Sequence, residues 1–175
     1  INTDYVLITD KIVTPAYCKP MRRGISDVVY EDPRIDFENR AAIGKSIEDT
    51  IIEQLDSFVQ NIDVLLVVDQ LKNGIITKRI RERLSAISQM GMPVIVDSRE
   101  RIQLYKNVIV KPNELEAIRS IYPDIHVKDI KAEMLLEASY ELYKKMGNPV
   151  IITMGSKGSL WFDGKKTFKA AAYPT

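Results

Sequence analysis

The sequence predicts an α/β fold built on a mainly parallel sheet, and three observations carry that prediction. From residue 62 onward, short apolar runs alternate with amphipathic segments across short connections, the mark of repeated strand-helix-strand units with right-handed crossovers. Residues 63–68 form a continuous apolar run bounded by polar residues, as expected of a strand covered on both faces. Each such run then leads into a polar or glycine-bearing turn, the way open α/β sheets present ligand-binding groups at strand ends.

Taken in order, residues 5–12 have a strand pattern, followed by a proline-bearing, charged stretch to Asn39 in which Pro15, Pro20 and Pro33 confine any strand to an edge or an irregular ribbon. Ser46 is placed to cap a helix with Glu48 and Asp49 in its first turn and Ile47, Ile51, Leu55 and Phe58 on one face. After the strand at 63–68 comes Asp69. Residues 77–90 space Ile80, Leu84 and Ile87 as an amphipathic helix, closed by Gly91 and Pro93. Val94-Ile95-Val96 then carries Asp97 at its tip. Residues 107–110 lead into Lys111-Pro112-Asn113, where Asn113 can cap a short helix by accepting from the backbone near Glu116. A longer helix spans 130–146 and stops at Gly147-Asn148-Pro149. Residues 150–152 give another buried strand, and residues 159–162 and 166–169 make a hairpin about an Asp163-Gly164 turn. No internal repeat or low-complexity tract appears.

Composition narrows the function. With 175 residues, 45% of them hydrophobic, the chain is long enough for one well-buried domain and short for two. Lys and Arg number 25 against 24 Asp and Glu, so charge makes no case for nucleic acid or membrane, and a small-molecule partner is expected. The single cysteine, Cys18, excludes an internal disulfide framework, and no apolar run approaches the ~18 residues of a membrane span. A reducing, cytoplasmic setting is expected. Ile1 and the stretch ending at Thr175 read as cut ends.

Four polar clusters fall at strand ends: Asp69; Asp97 with Arg99; Asn113 with Glu116; and residues 153–158. In a parallel sheet these ends share one edge, so residues distant in sequence converge there. Asn113 and Glu116 lie one helical turn apart and can face one ligand. An amide and a carboxylate near a polyphosphate suit Mg²⁺, a hard ion that keeps several waters. Gly155 and Gly158 would let backbone amides approach a phosphate or nucleotide, with Lys157 adding charge. Each cluster also has a plainer explanation: Asn113 as a simple helix cap, Glu116 as a solvated carboxylate, Asp69 and Asp97 as caps of following segments, Arg99 as a surface ion-pair partner. Residues 43–46 mimic the end of a P-loop, but Asn39 stands where its first glycine belongs. His126 has no companions at metal-ligand spacing, and Cys18 has no nearby histidine to activate it. Lys19, Arg22 and Arg23 form either a solvated charge cluster or a sugar-phosphate contact.

Val110-Lys111-Pro112-Asn113-Glu114-Leu115-Glu116 resembles the Asn-x-x-Glu motif of the ribokinase-like (pfkB-type) carbohydrate kinases, and Thr153-Met154-Gly155-Ser156-Lys157-Gly158 resembles their Thr-x-Gly-x-x-Gly turn, in matching order and separation. The strand-end acids Asp69 and Asp97, and Ile35-Asp36-Phe37-Glu38, are most similar to the heptose-kinase branch. The resemblance implies a ribokinase-like three-layer sandwich, incomplete at both ends, with residues 1–45 as a lid or edge β-ribbon and linker and 46–175 as the central and nucleotide-binding part. It further implies nucleotide binding by Asn113, Glu116, Thr153, Gly155, Lys157 and Gly158, with Mg²⁺ at Asn113 and Glu116 through water. Asp69, Asp97 and Arg99 would lie near phosphate or substrate. ATP and a sugar or sugar phosphate would be the substrates, and the ribbon could join a homodimer. One departure stands out: no Gly-x-Gly-Asp, the family's anion hole and general-base aspartate, occurs in these residues, and its place would follow Thr175. Two readings follow, a sugar kinase inactive without that motif, or a non-catalytic nucleotide- or sugar-binding regulatory domain with the kinase fold.

Overall fold

The computed structural model describes residues 2–24, 27–126 and 129–173; the two residues read above as cut ends, Ile1 and Thr175, lie outside them. The centre is a six-stranded sheet of β5 (Leu65–Asp69), β6 (Val94–Ser98), β7 (Ile109–Val110), β8 (Val150–Thr153), β9 (Ser159–Phe162) and β10 (Thr167–Ala170), ordered β10-β9-β8-β7-β6-β5. The four strands β5 to β8 pair in parallel, and the two at the other side close it antiparallel. The chain therefore has the mixed, mainly parallel sheet that the alternating pattern predicts.

Helices α1 (Lys45–Phe58), α2 (Lys78–Gln89), α3 (Glu114–Arg119) and α4 (Ala132–Met146) follow from amphipathic spacing. Their apolar stripes, including Ile80, Leu84 and Ile87 of α2, Ile118 of α3 and Leu142 and Met146 of α4, bury against Val67, Val94, Val96, Val110, Val150, Ile152 and Leu160 of the sheet. Burying one such aliphatic side chain contributes about 1.5–3 kcal/mol, so this seam dominates the stability. Gly147 ends α4 in the left-handed conformation, with φ 67°, as its position after the last apolar residue predicts.

Four expectations need correction. Strand β5 is not covered on both faces: Val67 and Asp69 are buried, while Leu66 and Val68 are 66% and 70% exposed. Pairing register places Ile95, Ile109, Ile151 and Trp161 on the same side as Leu66 and Val68, so the helices cover one face and leave an apolar second face open. Residues 5–12 are irregular rather than a strand, with Val6 N donating to Thr3 O at 3.0 Å and Lys11 N to Thr9 Oγ1 at 3.2 Å in place of ladder bonds. Leu7 and Ile12 still pack against the core, and Tyr5 lies against Phe58 with ring centroids 4.9 Å apart, while Val6 and Ile8 are exposed. Ser46 lies inside α1, whose N-cap is Gly44, accepting from the amides of Ile47 and Glu48. The β9–β10 turn centres on Gly164-Lys165, one residue later than predicted, because the Asp163 carboxylate accepts from the amides of Lys165 and Lys166 at 2.8 and 2.7 Å. Those two donors, Lys166 first, hold the Asp163 carboxyl below its ordinary range.

The stretch before α1 folds as two small antiparallel pairs, β1 (Ala16–Cys18) with β4 (Ile35–Phe37) and β2 (Met21–Arg23) with β3 (Val29–Glu31). The Asn39 side chain closes the base of this ribbon, accepting from Val13 N at 3.0 Å and donating to Val13 O at 2.9 Å. Asn73 donates to Asn39 O at 2.7 Å and ties that base to the loop after β5.

Candidate functional site

The carboxyl ends of β5 to β8 share one edge, and the strand order sets the polar groups along it as Thr153, then Asn113, then Asp97 and Arg99, then Asp69. Asn113 and Thr153 form a parallel bridge, so the start of α3 abuts the start of the glycine turn. Asn113 caps α3 reciprocally with Glu116: its Oδ1 accepts from Glu116 N at 2.8 Å, and Glu116 Oε2 accepts from Asn113 N at 2.9 Å. That capping box satisfies the plainer reading of Asn113, yet it leaves both side chains at the wall of a cleft.

Several clefts open along this edge, and three of them reach Thr153, Asn113 or Arg99. One, of about 560 Å³, is lined by Arg99, Gln103, Asn113, Glu116, Arg119 and Ser120 among others. A wider one of about 750 Å³ is lined by Asn113, Glu114, Thr153 and the turn from Met154 to Ser159, with Ala171 and Ala172 opposite. Asn113 thus stands between the two. The third, of about 170 Å³, lies between the ribbon (Tyr17, Arg34, Asp36, Glu38) and the loops holding Asp69, Lys72, Arg99 and Arg101.

The two turn glycines differ. A Cβ on Gly158, whose φ is 91°, would fall 1.9 Å from Ala170 O, so packing alone requires glycine there. Gly155 has φ 54° and nothing within 4 Å of its missing Cβ, which leaves its side open toward the cleft. Lys157 is exposed and its Nζ sits 3.9 Å from Glu114 Oε2, spanning the two elements that meet at Asn113 and Thr153.

At the other end of the edge the chemistry is closed. Asp69 is buried, and its carboxylate accepts from Ser98 Oγ at 3.0 Å, Tyr105 OH at 2.8 Å and Arg101 Nε at 3.2 Å, with a further close ion pair to Arg101 Nη2. Burial, then the neighbouring Asp69 charge, pushes the Tyr105 hydroxyl well above its ordinary pKa. Asp97 lines none of the three clefts; it pairs with Lys111 Nζ at 3.0 Å and accepts from Gln70 Nε2 at 3.2 Å. Arg99 lines both the first and the third cleft.

Sequence reasoning missed Arg101, Tyr105 and Lys111. Arg101 stands two residues beyond Arg99 in Asp97-Ser98-Arg99-Glu100-Arg101, and nothing local tells which arginine turns inward. Lys111 was legible as part of Lys111-Pro112-Asn113, since a residue two before Asn113 at a strand end reaches the same edge. Among the described residues no group of three or more His, Cys, Asp or Glu side chains is placed to hold a metal ion. Glu116 presents one carboxylate at a cleft wall with Oε2 on a backbone amide, a donor set that suits Mg²⁺ held through water and phosphate rather than a protein cage.

No family model matches the chain. It is similar to the 1-phosphofructokinase of Haemophilus influenzae, 27% identical over 118 residues that span 65% of this chain and 36% of that protein. Among solved structures it resembles phosphofructokinase-2 from Escherichia coli in complex with fructose-6-phosphate, at 20% identity and a TM-score of 0.59, over 86% of this chain and 48% of that one. It also resembles ribokinase from Giardia lamblia, at 15% identity and a TM-score of 0.58, over 90% and 48% of the two chains. The fold is therefore the ribokinase-like α/β fold, and the sequence is homologous to a carbohydrate kinase. The chain spans about a third of the curated relative and about half of the solved structures it matches.

Proposed function

We propose that this chain is the central part of an ATP-dependent carbohydrate kinase, which transfers the γ-phosphoryl group to a hydroxyl of a sugar or sugar phosphate. The observation that carries the reading is the junction at Asn113, where the capping box of α3 and the glycine turn after β8 meet at adjoining clefts on the carboxyl edge. Glycine-turn amides and Lys157 would border the nucleotide, with Gly155 the open position and Gly158 the packing one. Asn113 and Glu116 would hold Mg²⁺ through water, and the ion would supply neutralisation of phosphate charge. Lys111, steadied by Asp97, adds a cation two residues from Asn113.

The acceptor would enter from the ribbon side, where the cleft under Tyr17 and Arg34 lies beside Arg99. Phosphofructokinase relatives favour a phosphorylated hexose, whereas residues 35–38 and the strand-end acids favour a heptose derivative. The 175 residues contain no Gly-x-Gly-Asp, so they supply no general base of that kind, and by themselves they are expected to be inactive. The open apolar sheet face, with Leu66 and Val68 exposed, supports a larger intact protein whose further chain covers it. Exposed Met21, Tyr30, Ile35 and Phe37 suit a ribbon-to-ribbon homodimer, and sedimentation showing only monomer would remove that part.

The test is ADP release by the natural full-length protein with Mg²⁺ across hexose, pentose and heptose sugars and their phosphates. Acceptor-dependent release supports the kinase and names its acceptor; ADP binding with no release across the panel supports the non-catalytic reading instead.

A further inference from the structure

The loop after β5 is gripped from below. Arg101 Nη2 donates to Leu71 O at 2.5 Å and Arg101 Nη1 to Lys72 O at 2.7 Å, while Nε and Nη2 hold Asp69. Asp69 ends β5 and Arg101 lies on the loop after β6, so one guanidinium joins the two strand ends. Arg99 N donates to Asp69 O at 3.3 Å, adding one more tie between the same segments, and Arg101 N donates to Ser98 Oγ at 3.3 Å within the turn after β6. From above, Asn73 fixes the other end of the loop to the ribbon base at Asn39. Residues Asp69, Gln70, Leu71 and Lys72, with Arg99, Glu100 and Arg101, line the sheet side of the cleft under the ribbon.

Stabilising the fold does not by itself require this geometry. Ser98 and Tyr105 already donate to Asp69, and a simple cation would neutralise it. The guanidinium spends its remaining donors on the two loop carbonyls that shape the cleft, a rigid fork that an ammonium cannot reproduce. We infer that Arg101 is a positioning residue, which fixes the backbone at Leu71 and Lys72 and so preforms the acceptor side of the site. It acts through the loop and leaves the glycine-turn cleft, at the far end of the edge, untouched. The inference rests on the kinase reading only for what the cleft receives.

The variant that separates positioning from folding is Arg101→Lys, which keeps the charge beside Asp69 and loses the fork. In the full-length protein it is expected to raise the acceptor KM about tenfold or more while the ATP KM stays within about twofold. Hydrogen exchange of the Gly74 amide, which donates to Leu71 O at 3.3 Å, is expected to quicken at least about tenfold, whereas amides of β6 keep wild-type protection. Equal change in both KM values, or wild-type exchange at Gly74, would overturn the inference. A full-length wild type with no turnover would instead remove the kinase reading, and the exchange experiment would still decide the role of Arg101.

Discussion

Asp69 and Asn113 mark two ends of one sheet edge, and the same kind of sequence signal led to both: a polar residue at the tip of an apolar strand. At the Asp69 end both carboxylate oxygens have protein donors, Oδ2 from Ser98, Tyr105 and Arg101 Nε, and Oδ1 from Arg101 Nη2. At the Asn113 end the box with Glu116 closes locally and stands between two clefts, beside a glycine turn whose Gly155 faces open space. A saturated, buried acid holds loops in place, whereas a half-exposed pair beside open volume is free to meet a ligand. Removing the Asp69 carboxylate should therefore cost stability first, and removing Asn113 or Glu116 should cost function.

Asp69→Ala tests this contrast most severely. Removing it strands the Arg101 guanidinium without its buried partner, and a loss of about 3–5 kcal/mol in urea unfolding is expected. A loss near zero would put Asp69 on the open side of the comparison. The glycine turn contains the same contrast in miniature. Gly158→Ala drives a Cβ into Ala170 and should cost about 1–3 kcal/mol, with Gly155→Ala losing only the smaller left-handed backbone penalty of about 1–2 kcal/mol and the nucleotide approach. Equal destabilisation by the two would show that Gly155 is also a packing residue.

Tyr105→Phe withdraws one donor from the buried Asp69 carboxylate and should cost about 1–3 kcal/mol near neutral pH. Its pH signature has a definite sign. The folded protein keeps the Tyr105 proton to higher pH than an unfolded tyrosine does, so the stabilisation is complete below about pH 10 and declines as pH rises further. The Phe variant should lack that alkaline decline, which unfolding midpoints measured from pH 8 to 11 would reveal.

Much of this was readable in the chain. Runs such as Val150-Ile151-Ile152 and the helical spacing of Ile80, Leu84 and Ile87 gave the strands and helices, and Asn113 with Glu116 announced its own cap. Local pattern could not tell how many layers cover the sheet, since Val67 and Val68 are chemically identical and only one meets a helix. Nor could it choose between Arg99 and Arg101, because the partner that orients Arg101 lies 32 residues away at Asp69. Residues 5–12 misled because their apolar content was real but Val6 N and Lys11 N bond locally, to Thr3 O and the Thr9 side chain, rather than to a neighbouring strand.

The central claim is that the Asn113–Glu116 pair serves phosphate transfer as well as capping α3. Its most direct test is turnover and unfolding of full-length Asn113→Ala and Glu116→Ala, measured with the acceptor found in the panel. The account predicts a loss of about 0.5–2 kcal/mol in stability for the missing cap, together with a fall in kcat on the order of a hundredfold and little change in acceptor KM. Unchanged kcat in both variants would contradict it and leave the pair as a helix cap alone.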